Sequence, residues 1–339
     1  MKFLLAPIAW IYGFVVWLRN LLYDDHILHS TQVSIPTICV GNLAVGGTGK
    51  TPMAEYLISL LSSDYKVALL SRGYGRKTKG FRIANEHDTA QTIGDEPMQI
   101  HTHFPDIPVA VCADRVKGVK RLQQLYPDLQ CVILDDAYQH RKLRCGFYVL
   151  LTPYDCLYTD DHLLPWGRLR DLPNQSHRAN VVVVTKCPPN MQPIERRIVS
   201  NSLKLATYQQ LFYSSIGYAQ LALSGTPLLV TGIANPTPMY EYLCQQFPDT
   251  ELMAYADHHA FSRRDIQQIL EKAERYAHVV TTEKDYMRMQ QTPLVEALGD
   301  KLRVLTIQTN LGVDKEGFDR AVLLYVRENN RNNKRTINS

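Results

Sequence analysis

The apolar residues of this chain fall into short, uninterrupted runs separated by longer amphipathic stretches. Runs rich in Val, Ile and Leu that are buried on both faces are typical of a parallel sheet covered by helices. The first series of such runs occupies residues 35–40, 66–70, 109–112, 131–134, 148–151 and 181–184. A second series occupies 227–230, 251–255, 278–281 and 303–307, with helical patterns at 238–246 and 262–276. This rhythm predicts an α/β fold with two sheets.

The spacing of these runs also predicts how the chain is divided. We expect an N-terminal helical segment at residues 1–30, a larger α/β domain at 31–222 and a smaller α/β domain at 223–339. Residues 207–223 are expected to link the two domains. The tail from residue 328 onwards is rich in asparagine and arginine and is expected to fray.

The N-terminal segment is unusually apolar. Residues 3–18 contain no charged side chain and include Trp10, Tyr12 and Trp17. A helix of that length measures about 24 Å, which is shorter than the roughly 30 Å hydrocarbon core of a bilayer. A single preceding lysine and the lack of a small-residue cleavage site argue against a secretory signal. Two alternatives remain, an interfacial helix with its aromatic residues at headgroup level and a helix buried against the protein.

Overall composition excludes several classes of protein. Hydrophobic residues make up 45% and charged residues 21% of the 339 positions, as in an ordinary globular protein. The formal net charge of +4 is too small to indicate nucleic-acid binding. The seven cysteines are odd in number and lack Cys-x-x-Cys spacing. We therefore expect reduced cysteines in a cytoplasmic protein, without disulfides or a zinc site.

A glycine-rich loop follows the first apolar run. Residues 40–52 read Val-Gly-Asn-Leu-Ala-Val-Gly-Gly-Thr-Gly-Lys-Thr-Pro and lead into a helical pattern. Such a loop surrounds polyphosphate with backbone N–H groups and the positive end of a helix dipole. Lys50 is expected to reach the β and γ phosphates, and Thr51 to bind Mg²⁺. The usual pattern has glycine where Ala44 stands, so the match is imperfect. The predicted nucleotide-binding residues are Gly46, Gly47, Thr48, Gly49, Lys50 and Thr51.

Two pairs of adjacent carboxylates are candidates for chemistry. Asp135 and Asp136 end an apolar run, which places them at the edge of a parallel sheet where ligands and metals bind. Asp95 and Glu96 stand in a Gly-Asp-Glu-Pro sequence ahead of a helical pattern. Their alternative interpretation is a helix start with favourable dipole charges, because Pro97 suits a first helical turn.

Cationic residues follow several of the predicted strands. Residues 71–80 hold four cationic side chains among three glycines and one tyrosine, a combination that suits an anionic, sugar-bearing substrate. A solvated basic loop is the alternative. Arg115, Arg168 and Arg170 follow further strands and are expected to converge on the same cleft.

The second domain has two charged motifs of its own. Asp257-His258-His259 precedes a helical pattern, but adjacent histidines do not share a helix face and no third metal ligand is indicated. A histidine in the cleft is one interpretation, and a helix cap by Asp257 is the other. The sequence Thr-Glu-Lys-Asp at 282–285 follows a strand and has no assigned role.

Taken in order, these motifs resemble those of the tetraacyldisaccharide 4′-kinase family, the membrane-bound kinases of the lipid A pathway. The resemblance runs from the N-terminal helix to about residue 310. It rests on Gly-Gly-Thr-Gly-Lys-Thr-Pro, Leu-Ser-Arg-Gly-Tyr-Gly-Arg-Lys, Gly-Asp-Glu-Pro, Asp-Arg-Val, Leu-Asp-Asp-Ala-Tyr-Gln-His-Arg, Val-Val-Thr-Lys, Asp-His-His and Thr-Glu-Lys-Asp. It implies a P-loop NTPase sheet with a smaller C-terminal α/β domain and an N-terminal membrane-associated helix.

The resemblance also implies an activity. We expect ATP- and Mg²⁺-dependent phosphorylation of the 4′-hydroxyl of a tetraacylated glucosamine disaccharide 1-phosphate. The enzyme would act at the cytoplasmic face of the inner membrane as a peripheral or monotopic protein, with no nucleic-acid partner and no obligate protein partner.

Roles for individual residues follow by motif. Asp95 matches the family's catalytic base and His258 its dyad partner. Where the family commonly has Leu-Arg-Glu-Pro, this chain has Leu-Arg-Asp-Leu, so the carboxylate of Asp171 is one methylene shorter and its metal role is less secure. The expected metal-side residues are Thr51, Glu96, Asp135, Asp136 and Asp171. The expected substrate residues are Arg72, Tyr74, Arg76, Arg115 and Arg170.

A regulatory or partitioning P-loop ATPase is the competing class. Members of that class usually carry an extra lysine just before the two glycines, where this chain has Val45. That interpretation also leaves Asp95, His258 and the second domain without a function. Guanine specificity is not favoured either, because the chain has no Asn-Lys-x-Asp segment.

Overall fold

The computed structural model describes residues 5–257, 259–290 and 292–337, and from residue 332 it describes the backbone alone. The helices are α1 Ala6–Asp24, α2 Lys50–Ser62, α3 Ala90–Ile93, α4 Asp95–His103, α5 Arg115–Leu125, α6 Pro193–Leu203, α7 Thr237–Gln246, α8 Arg263–Ala273, α9 Glu283–Met289, α10 Leu294–Leu298 and α11 Lys315–Ile337. The strands are β1 Thr31–Gln32, β2 Thr37–Asn42, β3 Val67–Ser71, β4 Arg82–Ile83, β5 Val109–Val111, β6 Cys131–Asp135, β7 Leu143–Arg144, β8 Phe147–Pro153, β9 Val181–Thr185, β10 Gln210–Tyr213, β11 Ser215–Tyr218, β12 Pro227–Thr231, β13 Glu251–Ala254, β14 His278–Thr282, β15 Leu302–Leu305 and β16 Ile307–Asn310.

The larger sheet has eight strands in the order β10-β9-β8-β2-β6-β3-β5-β4. Every pairing is parallel except that of β4, which runs antiparallel at one edge. All residues of β2, β3, β6 and β9 are buried, because helices cover both faces of the sheet. The predicted α/β class with parallel sheets is thereby confirmed.

Residues 207–223, which were predicted to link the two domains, contain two strands. Residues 210–213 form β10, the edge strand of the larger sheet, which pairs parallel with β9. Residues 215–218 form β11, which pairs antiparallel with β16. The segment expected to link the two domains thus contains two strands that its sequence pattern did not predict. Neither strand has the long Val- and Ile-rich run that reveals the central strands.

The second sheet has four parallel strands in the order β13-β12-β14-β15. The last helix, α11, returns to the larger sheet, where Phe318, Val322 and Val326 share a core with Ile38 and Leu57. Helix α11 thus covers the first core although it follows the second sheet in sequence. The boundaries 31–222 and 223–339 stay predictions.

Helix α1 lies against the protein by one narrow face. Ala9, Val16 and Asn20 are buried along that face, together with Gly13, where an added Cβ would lie 2.7 Å from Leu163. The opposite face is exposed and apolar, with Ile8, Trp10, Ile11, Phe14, Val15, Trp17, Leu18 and Leu21. Within the described residues, no helix combines the length and the apolar character that crossing a bilayer requires. The helix therefore has features of both predicted alternatives.

Candidate active site

The glycine loop joins the end of β2 to the start of α2, as the sequence predicts. Gly49 has φ +86, a left-handed backbone that favours glycine, and it precedes α2 directly. A Cβ added at Gly46 or Gly47 would meet no atom within 4 Å, so the loop borders open space. Lys50 and Thr51 form the first turn of α2, with the side chain of Thr51 buried. This is the arrangement in which backbone N–H groups receive phosphate oxygens.

Side chains outside the loop hold its conformation. The hydroxyl of Thr48 accepts a hydrogen bond from the Asn42 amide at 2.7 Å, and its carbonyl accepts one from the Thr185 hydroxyl at 2.9 Å. The backbone N–H of Val45 donates to the carbonyl of Arg168 at 2.8 Å. These hydrogen bonds join the loop to the ends of β2 and β9 and to Arg168. We therefore expect the loop to keep its conformation when no phosphate is bound.

Asp135 and Asp136 end β6, beside the loop. Asp135 is buried, and within the described part of the chain its Oδ1 has no hydrogen-bond partner. Burial raises the pKa of Asp135 to about 7, and the charges of Glu96 and Asp136 add to the effect. Burial also opposes ionisation of Asp136, but Lys50 and Arg170 outweigh it and hold the pKa of that carboxyl below its ordinary value. The two adjacent carboxyls therefore have pKa values shifted in opposite directions, Asp135 upward and Asp136 downward.

Arg170 joins the acidic pair to the loop. Its Nη1 donates to Oδ2 of Asp136 at 3.1 Å, and its Nη2 donates to both Asp136 and the side-chain carbonyl of Asn42. The backbone of Asn42 also accepts a hydrogen bond from the Gln139 amide at 2.7 Å. The structure places the guanidinium of Arg170 between Asp136 and Asn42, and its predicted contact with substrate stays a prediction.

The second pair of carboxylates starts a helix and also faces charged partners. Asp95 and Glu96 occupy the first turn of α4. The guanidinium of Arg288 donates to Oδ2 of Asp95 at 2.9 and 3.2 Å, and the ammonium of Lys284 donates to Oε1 of Glu96 at 3.1 Å. Both cations belong to α9. Each interpretation of the Gly-Asp-Glu-Pro motif, helix start and reactive pair, is compatible with this geometry.

The basic loop lies next to Asp95. Gly94, the residue before Asp95, has φ +100. A Cβ at Gly94 would lie 3.0 Å from the carbonyl of Tyr74 and 3.2 Å from the Cα of Gly73, both in the basic loop of residues 71–80. This close approach requires glycine and brings the loop against the start of α4. Arg72 and Tyr74 are exposed, whereas Arg76 folds back to donate to the Gly80 carbonyl at 2.6 Å.

Two predicted site residues lie behind the cleft surface. Arg115 is only 2% exposed, and it donates to the carbonyls of Cys112 at 2.7 Å and Asp135 at 3.4 Å. It therefore supports the acidic pair from beneath. Asp171 is fully buried and accepts a hydrogen bond from Asn20 of α1 at 2.7 Å. This geometry favours roles in holding the fold, and the substrate role of Arg115 and the metal role of Asp171 stay predictions.

The histidine motif of the second domain is described in part. His258, the predicted partner of Asp95, lies outside the described residues. His259 contacts Asp265, with Nε2 and Oδ2 3.0 Å apart, and its ring stacks on Tyr255. Helix α8 is capped by Ser262, whose side chain accepts from the N–H of Asp265. The interpretation of Asp257 as the cap of this helix was therefore wrong.

Several residues of the site had no role in the sequence-based interpretation. They are Asn42, Gln139, Thr185, Lys284 and Arg288. The first four lie within the motifs Val-Gly-Asn-Leu, Tyr-Gln-His-Arg, Val-Val-Thr-Lys and Thr-Glu-Lys-Asp. Their positions within these motifs indicated that the four residues could belong to the site. Their contacts could not be predicted from the sequence pattern, because their partners come from distant segments of the chain.

A glycine loop between a parallel strand and a helix, with a carboxylate pair at the end of the neighbouring strand, defines the class of P-loop nucleotide-binding proteins. A family model described as Tetraacyldisaccharide-1-P 4′-kinase matches residues 1–327. The chain belongs to this family, as the sequence motifs predicted.

Curated relatives agree with the family match. The chain is 44% identical to the tetraacyldisaccharide 4′-kinase of Flavobacterium johnsoniae, over 96% of this chain and 97% of that protein. It is 43% identical to the enzyme of the same name from Bacteroides thetaiotaomicron, over 97% and 94%. A crystal structure of LpxK from Aquifex aeolicus, solved in complex with ATP, has a TM-score of 0.73 at 24% identity, covering 96% of this chain and 99% of that one. That structure supports the fold.

Proposed function

We propose that the chain transfers the γ-phosphoryl group of ATP to the 4′-hydroxyl of a tetraacylated glucosamine disaccharide 1-phosphate, a step of lipid A biosynthesis. The family match and the names of the curated relatives support this activity. One structural observation carries it. The phosphate loop, the acidic pair and the basic loop of residues 71–80 follow the neighbouring parallel strands β2, β6 and β3, so they lie side by side at the carboxyl ends of these strands. A partitioning ATPase would need the first two features but not the third.

In this reaction, the loop of residues 46–51 would bind the β and γ phosphates of ATP, with the ammonium of Lys50 beside them. Asp95 would accept the proton of the sugar hydroxyl, an effect typically worth 10² to 10⁴ in rate. The exposed Arg72 and Tyr74 lie on the loop that packs against Gly94, where they would meet the anionic disaccharide. His258 would complete the dyad, as the resemblance implies.

The residues present also fit a magnesium ion. Among the described residues, no cluster of three His, Cys, Asp or Glu side chains could hold a metal. Mg²⁺ does not need one, because it commonly uses one or two carboxylates together with water and substrate phosphates. Asp135 has an unpartnered, buried Oδ1 beside Asp136 and Glu96, which is the environment a divalent cation would neutralise. Thr51 and these carboxylates would hold the ion, which would stabilise charge on the transferred phosphoryl group.

Helix α1 would attach the enzyme to the membrane surface. Its buried face binds the protein, and its exposed face offers two tryptophans and a phenylalanine among aliphatic side chains. An apolar helix face of this kind is suited to lie in the headgroup region of a bilayer. The acyl chains of the substrate would then reach the cleft from the membrane.

The activity can be tested directly. Purified protein is incubated with ATP labelled in the γ-phosphate, Mg²⁺ and detergent-dispersed tetraacyl disaccharide 1-phosphate, and the lipid is separated and counted. We expect label on the lipid, no label when the 4′-hydroxyl of the acceptor is already phosphorylated, and no label with Lys50→Ala. Hydrolysis of ATP with no labelled lipid would instead support the partitioning-ATPase class.

A further inference from the structure

Helix α9 carries the Thr-Glu-Lys-Asp motif, which the proposed function leaves without a role. The helix begins directly after β14 of the second sheet and packs against α4, whose first residue is Asp95. Three of its side chains reach that helix: Glu283 accepts from Gln99, Lys284 donates to Glu96, and Arg288 donates to Asp95. The contact between the two helices is therefore largely charged and directional.

The contact between Arg288 and Asp95 has a specific geometry. Nε and Nη2 of the guanidinium both donate to Oδ2 of the carboxylate, at 3.2 and 2.9 Å. Two donors from one planar guanidinium converge on a single oxygen, which holds the carboxylate in one orientation. The side chain of Arg288 is 12% exposed and that of Asp95 28%, so the pair is shielded from water more than an ordinary surface ion pair.

Arg288 is itself anchored from the opposite side. Its Nη1 donates to Oδ1 of Asp285 at 3.1 Å. Asp285 is fully buried, and its Oδ2 accepts hydrogen bonds from the Thr231 hydroxyl, the Gly232 N–H and the Thr282 hydroxyl at 2.8, 2.9 and 2.8 Å. The ends of β12 and β14 thus hold the carboxylate that holds the guanidinium. Such an anchored guanidinium fixes a partner in one orientation.

We infer that Arg288 is a positioning residue for Asp95 and that α9, through Asp285, connects the second sheet to the catalytic carboxylate. The inference rests on the proposed role of Asp95 as the base. In the reaction, the carboxylate of Asp95 takes the hydroxyl proton as the new O–P bond forms, the bond from the γ-phosphorus to the bridging oxygen of ATP breaks, and ADP leaves with the electron pair. Arg288 touches none of the reacting atoms. It holds the carboxylate in one orientation.

The contact also gives the second sheet a role in the proposed reaction. Asp95 and Glu96 lie on a helix that packs against the larger sheet, whereas their two cations lie on a helix that follows β14. The base is therefore held in place only while α9 and α4 are in contact. The loss of Arg288 should lower turnover more than it lowers the affinity for either substrate.

The first experiment compares steady-state kinetics of Arg288→Met, Arg288→Lys and Arg275→Ala in the full-length protein. Arg275 is an exposed arginine of the same domain and serves as the control. We expect Arg288→Met to lower kcat about 10- to 100-fold, as for a misplaced catalytic group, with the KM for ATP changed less than about threefold. Arg288→Lys should recover part of the loss, and Arg275→Ala should match wild type. Thermal unfolding of each variant separates misfolding from misplacement.

A double-mutant cycle with Asp95→Asn decides what Arg288 acts on. If Arg288 works through Asp95, Arg288→Met should cost little further in the Asp95→Asn background. Multiplying losses, or a rise in the KM for ATP at normal kcat, would overturn the positioning role while the proposed base stands. If Asp95→Asn alone keeps most of the wild-type kcat, the proposed base itself fails, and the inference fails with it.

Discussion

His103 of α4 binds the carboxylate of Glu283 of α9, with Nε2 and Oε1 2.8 Å apart. Its other ring nitrogen lies 3.0 Å from Oε1 of Glu55, so the imidazole stands between two carboxylates. Hydrogen bonds to Glu283 and then to Glu55 raise the pKa of His103 to about 10. The imidazolium of α4 therefore neutralises two acids that would otherwise repel each other, Glu55 of α2 and Glu283 of α9.

Replacing His103 with glutamine should destabilise the protein in a pH-dependent way. The folded pKa lies above the ordinary value of about 6.5, so the stabilisation is fully present below about pH 6.5 and is lost as pH rises through about 10. We expect a loss of about 2 kcal/mol in the free energy of unfolding at pH 6, since charged hydrogen bonds disappear. Denaturant unfolding at pH 6, 8 and 10 measures it. His87→Gln, at an exposed histidine, is the control, and a pH-independent difference would contradict the assignment.

Asp135→Asn should raise stability without nucleotide and weaken the stabilisation by Mg·ATP. The pKa of Asp135 is raised to about 7 by burial, so the folded state holds this proton more tightly than the unfolded state, and stability falls as pH rises from about 4 to about 7. The amide imitates the neutral acid and removes that loss. We expect a higher unfolding midpoint than wild type at pH 8 without nucleotide, and a smaller rise on adding Mg·ATP. Thermal scans with and without Mg·ATP measure both effects, and equal midpoints without nucleotide would count against the raised pKa.

Lys50→Ala should nearly stop phosphoryl transfer while the fold is kept. Lys50 opens α2 beside the loop and contributes positive charge at Asp135 and Asp136. Phosphoryl transfer depends mainly on positioning and charge stabilisation, so we expect kcat to fall well over tenfold. Single-turnover transfer to the lipid measures it, with circular dichroism as the check on folding. A variant that keeps more than about a tenth of kcat, a loss under about 1.4 kcal/mol, would exclude this role.

Arg170→Lys should loosen the phosphate loop. Lysine cannot reproduce the forked contact that joins Asp136 to Asn42, and Asn42 in turn holds Thr48. We expect a rise in the KM for Mg·ATP together with a fall in kcat of about tenfold. Arg168→Lys is the matched control, because the half-exposed side chain of Arg168 pairs with Asp161, while its contact with the loop is made by its backbone carbonyl, which the substitution keeps. Equal kinetics of the two variants would show that the forked contact has no effect on the loop.

The exposed face of α1 should determine membrane binding. Trp10 and Phe14 are 71% and 60% exposed, and replacing both with glutamine should lower the partition coefficient onto vesicles at least about tenfold, because each buried apolar side chain contributes about 1.5–3 kcal/mol. Cosedimentation with vesicles of phosphatidylethanolamine and phosphatidylglycerol measures it. The control replaces Ile194 and Ile198, which are 62% and 59% exposed on α6. If both double variants bind alike, α1 is not the membrane-binding element.

The central strands, the phosphate loop, the acidic pair after β6 and the family could all be predicted from the sequence. These features are local: a buried parallel strand needs a continuous apolar run, and a phosphate loop needs its glycines, lysine and threonine next to one another. The apolar runs 131–134 and 181–184 therefore predicted β6 and β9 without information on the strands that pair with them. The short edge strand β10 and the pairing of β11 with β16 were missed, because edge strands carry weaker patterns.

Which charged residues contact one another could not be predicted from the sequence. Arg288 lies 193 residues from Asp95, and Glu283 lies 184 residues from Gln99, yet each pair is in contact. Asp171 and Arg115, which motif position had assigned to metal and substrate, are buried against α1 and beneath Asp135. A charged residue has similar local preferences whether it binds a ligand, an opposite charge or a backbone carbonyl. Its role follows from what the packed helices and strands bring within about 3 Å of it, the distance at which hydrogen bonds form.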